Sequence, residues 1–273
     1  MTYSIRSIVH PTDFSPLSSA AFAHALRIVV AARSKLQALH VDQAEENADG
    51  GFPLVKRILM QWGLLQEDDP PAAVFTRLGV LWQNVTLDRQ NPAPAIVRFL
   101  DENFCDLVVL ATHGREGLDR WLNSSVASAV FRQSSIPTLF VPRGARGFVD
   151  QVSGETRLRR VLIPIDHAPA PARAIETARG FAMLLTGGEV AMQLLHVGRI
   201  APTVRNVAGA APITVRYGNT VQTVLAAATE YDADLICMPT AGRQGIVDAL
   251  RGSTTERVIR HAPCPVLALS VRS

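Results

Sequence analysis

The residues best suited to chemistry lie in 239-PTAGRQGIVDALRGSTTER-257. Gly242 permits a positive φ and a close backbone approach. Beyond residues 243–251, Gly252-Ser253 opens a helical pattern. A helix start carries unpaired backbone N–H groups and a partial positive charge. The hydroxyls of Ser253 and Thr254 add donors, and Arg243 and Arg251 flank the loop. Together these groups would cup an anion, above all a phosphate. The same residues also suit a plain capping box, because Ser253 stands three residues before Glu256. A carboxylate is the second candidate: Asp13 in 11-PTDFS-15 and Asp166 in 164-PIDHA-168. It either caps a helix or accepts from a ligand donor such as an exocyclic amine or a ribose hydroxyl.

The chain repeats itself, and the repeat supplies the elements that must hold these groups. Residues 106–142 align with 234–270 without a gap, at an offset of 253 − 125 = 128. Asp106 meets Asp234, Gly114 meets Gly242 and Ser125 meets Ser253. Upstream, 5–28 resembles 158–181, with Asp13 on Asp166 at an offset of 166 − 13 = 153. Next, 38-ALHV-41 resembles 194-LLHV-197, at an offset of 194 − 38 = 156. The second copy therefore lacks 156 − 128 = 28 residues after Val197, the size of one helix with its loops. Two related domains follow, 1–145 and 156–273, joined by the linker 143-RGARGFVDQVSGE-155.

Apolar runs predict strands at 7–10, 35–41, 80–87, 106–111 and 136–141 in the first copy. Helical patterns occupy 16–33, 52–66, 92–103 and 122–134. In the second copy strands are expected near 160–165, 189–197, 212–217, 234–239 and 264–270. Its second helix is replaced by 198-GRIAPTVRNVAGAAP-212. Continuous apolar strands separated by helices imply an α/β fold, with two open parallel five-stranded sheets covered on both faces. Such sheets bind ligands beyond the carboxyl ends of their strands. The glycine loop follows strand four, so it is not a Rossmann fingerprint, and no GxxxxGK[ST] P-loop occurs.

A net charge of +3 with 48% hydrophobic residues marks an ordinary globular chain and does not identify a nucleic-acid binder. No apolar run reaches the roughly 20 residues of a membrane helix. Three cysteines without CxxC spacing fit buried small hydrophobes and a reducing cytoplasm, the expected location. His40 and His196 are matched and read as strand-end supports; His10, His113 and His167 are unmatched. No histidine pair has metal-ligand spacing, so no metal site is expected. No nucleophile elbow or triad order appears, so no catalytic residue is assigned.

On these residues the chain resembles a tandem member of the universal stress protein family. The signature is Gly, two residues, Gly, nine residues, then Gly-Ser or Gly-Thr, with an Asp after strand one and a PCPVL-type last strand. The resemblance implies a Rossmann-like fold of the adenine nucleotide alpha hydrolase-like kind. It also implies ATP or AMP as ligand, with Mg accompanying ATP, adenine near the Asp and the strand-two Val, and phosphates in the glycine loop. On the second copy this falls on Asp166, Val197, Gly218, Pro239, Gly242, Arg243, Gly252, Ser253 and Thr254. On the first it falls on Asp13, Val41, Gly114, Ser124 and Ser125. Both copies depart from the signature. Ala111 and Pro239 take the first Gly position, and Ser124-Ser125 replaces Gly-Ser in the first copy. Gly218 fits the Gly favoured after strand three, where the first copy has 87-LDRQNP-92. The second copy is thus the expected nucleotide site. The alternatives are a scaffold that keeps the fold without the ligand, or a slow ATPase. Single-domain members look like dimers built through the last strand, so one tandem chain should mimic a dimer, with or without further homodimerisation. Neither nucleic acid nor membrane is an expected partner.

Overall fold

A computed structural model of the chain describes residues 3–41, 52–88, 91–112, 126–204, 207, 211–240 and 254–270. The first half contributes β1 (Ser7–Pro11), α1 (Pro16–Ala32), β2 (Lys35–Val41), α2 (Val55–Gln61), α3 (Ala73–Thr76) and β3 (Leu81–Leu87). It continues with α4 (Pro92–Glu102), β4 (Leu107–Thr112), α5 (Val126–Gln133) and β5 (Thr138–Pro142). The second half contributes β6 (Arg160–Pro164), α6 (Pro171–Thr186), β7 (Ala191–Val197) and β8 (Ile213–Arg216). It ends with α7 (Thr220–Glu230), β9 (Leu235–Thr240), α8 (Thr254–His261) and β10 (Val266–Ser270).

The strands form one ten-stranded sheet in the order β3-β2-β1-β4-β5-β10-β9-β6-β7-β8. Neighbours within each half run parallel. The two fifth strands meet antiparallel at the centre, with Leu267 opposite Leu139 and Val266 opposite Phe140. A two-fold relation between two parallel halves demands that antiparallel junction, and it removes the apolar edge each half would otherwise expose. The expected pseudo-dimer therefore takes the form of a single fused sheet. The outer edges are β3, whose residues are all exposed or half-buried, and the short β8.

Alternation sorts the strand side chains onto two faces. Ile8, Leu107, Val161 and Leu267 pack under α1, α2 and α6. Val9, Val108, Leu162 and Val266 pack under α4, α5, α7 and α8. Each core runs across both halves. Local signals set the helix ends. Ser15 caps α1 through a 3.2 Å bond from Ser18 N, and Pro16 takes its first turn. Asn219 caps α7 by accepting from Gln222 N at 3.2 Å.

The connection between the halves is packed. Phe148 is fully buried, its ring edge-on to His24 at 4.6 Å and to Phe181 at 6.2 Å. Trp62 Nε1 donates to Gln151 O at 3.1 Å. Arg132 Nε donates to Glu256 Oε1 at 2.7 Å, joining α5 to α8 across the halves. No helix occurs between β7 and β8 among the described residues. A cavity of about 410 Å³, lined by Ile175, Met183, Met192 and Leu194, lies against α6 and β7 there.

The matched Asp106 and Asp234 have a structural role. Asp106 Oδ2 accepts from Arg6 N at 2.7 Å and Ser7 N at 3.2 Å. Asp234 Oδ2 accepts from Arg159 N at 2.8 Å and Arg160 N at 2.9 Å. Each carboxylate ties the start of strand four to the start of strand one. Asp234→Ala should strand both N–H groups and cost about 3 kcal/mol. The expected readout is a lower urea midpoint at unchanged slope; an unshifted midpoint would remove this role.

Candidate functional site

The site is built where the strands end. In the second half β6 lies between β9 and β7. The chain leaves β6 towards β7 on one side and reaches β9 on the other, so strand order switches at β6. Asp166 emerges two residues past β6 and is exposed. Ile165 N donates to Leu195 O at 2.8 Å, which extends the ladder up to that aspartate. Val197 closes the neighbouring β7 and is half-buried, and Pro239 and Thr240 close β9. Pro239 supplies no N–H, but Thr240 Oγ1 donates to Leu269 O at 3.1 Å and steadies the strand end. Thr254 is the first residue of α8. Gly218 has φ +124°, a conformation that residues with a side chain rarely adopt, and it delivers the chain to the Asn219 cap.

Asp166, Val197 and Pro239 thus sit at the ends of three adjacent strands. Gly218 follows β8, at the outer edge of the sheet. Gly242, Arg243, Gly252 and Ser253 lie outside the described residues, as do Gly114, Ser124 and Ser125. In the first half Asp13 is exposed after β1, while Val41 is buried at the end of β2. Neither aspartate caps a helix: Ser15 caps α1, and α6 begins after Ala170 without a side-chain cap. Asp13 Oδ1 instead accepts from Ser15 N at 3.0 Å, and Asp166 Oδ1 from His167 N at 2.8 Å.

The matched histidines act alike. His40 Nδ1–H donates to Thr12 O at 2.9 Å, and His196 Nδ1–H donates to Ile165 O at 3.2 Å. Each links the end of strand two to the segment after strand one. Above them the halves differ. Phe14, at φ 60°, stacks on His40 at 4.2 Å, and Phe52 meets Phe14 edge-on at 5.1 Å. The second half has His167 in the place of Phe14. Its ring stands edge-on to His196 at 5.6 Å, and its Nε2–H donates to Ile200 O at 3.0 Å. Asp166 Oδ1 lies 3.8 Å from His196 Nδ1. Sequence reasoning did not bring Asp166, His167 and His196 together. The only local signal was the Asp-His dipeptide, and the third member arrives through β6–β7 pairing.

The cysteines are inert packing groups. Burial pushes the thiols of Cys105 and Cys264 up to about 12, and raises Cys237 as well.

No helix among the described residues is long and apolar enough to cross a membrane. The Universal stress protein family profile matches residues 4–142 and 189–270. A universal stress protein of Methanocaldococcus jannaschii is 29% identical over 142 residues, which cover 50% of this chain and 82% of that protein. A universal stress protein structure from Archaeoglobus fulgidus DSM 4304 superposes with a TM-score of 0.62 at 21% identity, covering 96% of this chain and 95% of the other. A putative universal stress protein structure from Pseudomonas aeruginosa UCBPP-PA14 gives 0.61 at 15% identity, covering 97% and 93%.

Proposed function

The chain belongs to the universal stress protein family, and from that premise we propose that its second half binds an adenine nucleotide, ATP or AMP, beyond the carboxyl ends of β6, β7 and β9. One observation carries this reading: an exposed Asp166, engaged in no helix cap, stands at the strand-order switch beside Val197. In it Asp166 accepts from the base or ribose. Phosphates lie towards Thr254 and the preceding glycine loop, with Mg accompanying ATP, and the like charge of a carboxylate keeps Asp166 away from them. The boundaries 1–145 and 156–273 then mark two units with different roles. The first half is read as a scaffold, because Phe14 and Phe52 pack over His40 next to Asp13. Any hydrolysis is slow in this account, since no general base is assigned.

Mass spectrometry of small molecules released from protein purified without added ligand should find an adenine nucleotide. Gly252→Val should then lower nucleotide affinity tenfold or more, about 1.4 kcal/mol, by blocking close backbone approach. Calorimetry that finds Gly252→Val binding like the parent removes the glycine loop from the site.

A further inference from the structure

We infer that Asp166, His167 and His196 form a site for a divalent transition ion of the zinc class. Each residue can offer one ligand atom so that all three lie within 4.8 Å of one another. Two imidazoles and a carboxylate are the donors such ions prefer, whereas magnesium and calcium favour all-oxygen shells. Donor atoms on one tetrahedral zinc stand about 3.3 Å apart, given bonds of about 2.05 Å. His196 Nδ1 and Asp166 Oδ1, at 3.8 Å, already approach that spacing. Exposed Asp166 and His167 can close the remainder by side-chain rotation, while buried His196 is the fixed member.

The ring chemistry agrees. His167 Nε2 faces a carbonyl, Ile200 O, which only accepts, so Nε2 bears a proton and Nδ1 is the nitrogen left to offer a lone pair to an ion. A ligating imidazole commonly has its other nitrogen held at a carbonyl in this way. His196 presents Nδ1 to the Asp166 side, because Nε2 is covered by Gly198, where an added Cβ would come within 2.5 Å. Ile165 O stands 3.2 Å from Nδ1 on its bonding side, so that carbonyl turns aside as the ion binds and the ring proton moves to Nε2. Three protein ligands leave a fourth position for water or an anion.

The repeat provides an internal control. The first half has Asp13 and His40 in the matched places, but Phe14 where the second half has His167. A phenyl ring donates no lone pair, and Phe14 lies on His40 instead. The connection that replaces the second helix supplies Ile200 O, the carbonyl that orients His167.

The inference does not depend on nucleotide binding, and its test uses none. Untagged, chelator-stripped protein is titrated with zinc against a chromophoric chelator, with magnesium in parallel. The parent should bind one zinc per chain through this trio and show no comparable magnesium site. His167→Phe, which recreates the first-half residue, should weaken that zinc at least tenfold, as should Asp166→Asn. Asp13→Asn should leave it unchanged. Circular dichroism in excess EDTA checks that each variant is folded. A parent that binds no zinc, or a zinc retained at parental affinity by both His167→Phe and Asp166→Asn, overturns the site. His167→Phe keeps Asp166, so its nucleotide affinity reports separately on the proposed function.

Discussion

Leu267→Glu should break the protein at its centre. Leu267 is fully buried on β10, between Leu139 of β5 and Cys237 of β9. The substitution removes a packed leucine, which costs about 2–5 kcal/mol. It also places a carboxyl group into a hydrophobic core, which adds several kcal/mol even if the acid stays protonated. The total, at least about 5 kcal/mol, approaches the whole stability of a typical domain. Chemical denaturation should show a collapsed midpoint, and amide exchange should lose protection in β5 and β10 together. Leu267→Met, close in volume, should cost less than about 1.5 kcal/mol. If Leu267→Glu left exchange protection on β5 intact, the fused sheet would not be the element that joins the halves.

Acid should destabilise the first half through two buried histidines. Burial pushes His10 down to about 4, opposed by its bond to Val109 O and by nearby Asp13. Burial likewise pushes His24 down to about 4, opposed by its bond to Ala20 O. His24 Nε2 is buried with no partner among the described residues, so its protonation would leave an unpaired buried cation. Both folded values lie below the ordinary value of 6.5. The unfolded chain therefore binds more protons as pH falls from about 6.5, and stability declines until about pH 4 is passed. Each group contributes up to about 3 kcal/mol to that loss. Denaturant midpoints between pH 7 and pH 4 should fall accordingly, and His24→Phe should flatten part of the slope. A slope unchanged in His24→Phe would assign the acid sensitivity elsewhere.

Much of the architecture was legible because apolar runs and helix signals agree along this chain. β2 falls at residues 35–41 as expected, and most other strands lie within about two residues of their apolar runs. The second helix of the first half was read as 52–66, but only Val55–Gln61 is regular, because Gly63 at φ +70° breaks the pattern. The four-residue α3 has no periodic signature and was not anticipated. The connection between the halves read as a Gly- and charge-rich linker. Its one large apolar residue, Phe148, enters the core, a contact that depends on α1 and α6 being side by side. Asp106 and Asp234 showed only as a matched pair, since their backbone partners lie about 75 to 100 residues away. The Asp166–His167–His196 group was illegible for the same reason. His167 and His196 are 196 − 167 = 29 residues apart, and only parallel pairing of β6 with β7 brings them together.

The central claim is that one half of this tandem chain carries the nucleotide site and the other does not. Calorimetric titration of ATP and of AMP into the parent, Asp166→Asn and Asp13→Asn chains tests it most directly. The account predicts one nucleotide per parent chain. Asp166→Asn should weaken it at least tenfold, about 1.4 kcal/mol, and Asp13→Asn should leave it unchanged. Two nucleotides per chain, or binding lost in Asp13→Asn and kept in Asp166→Asn, would contradict it.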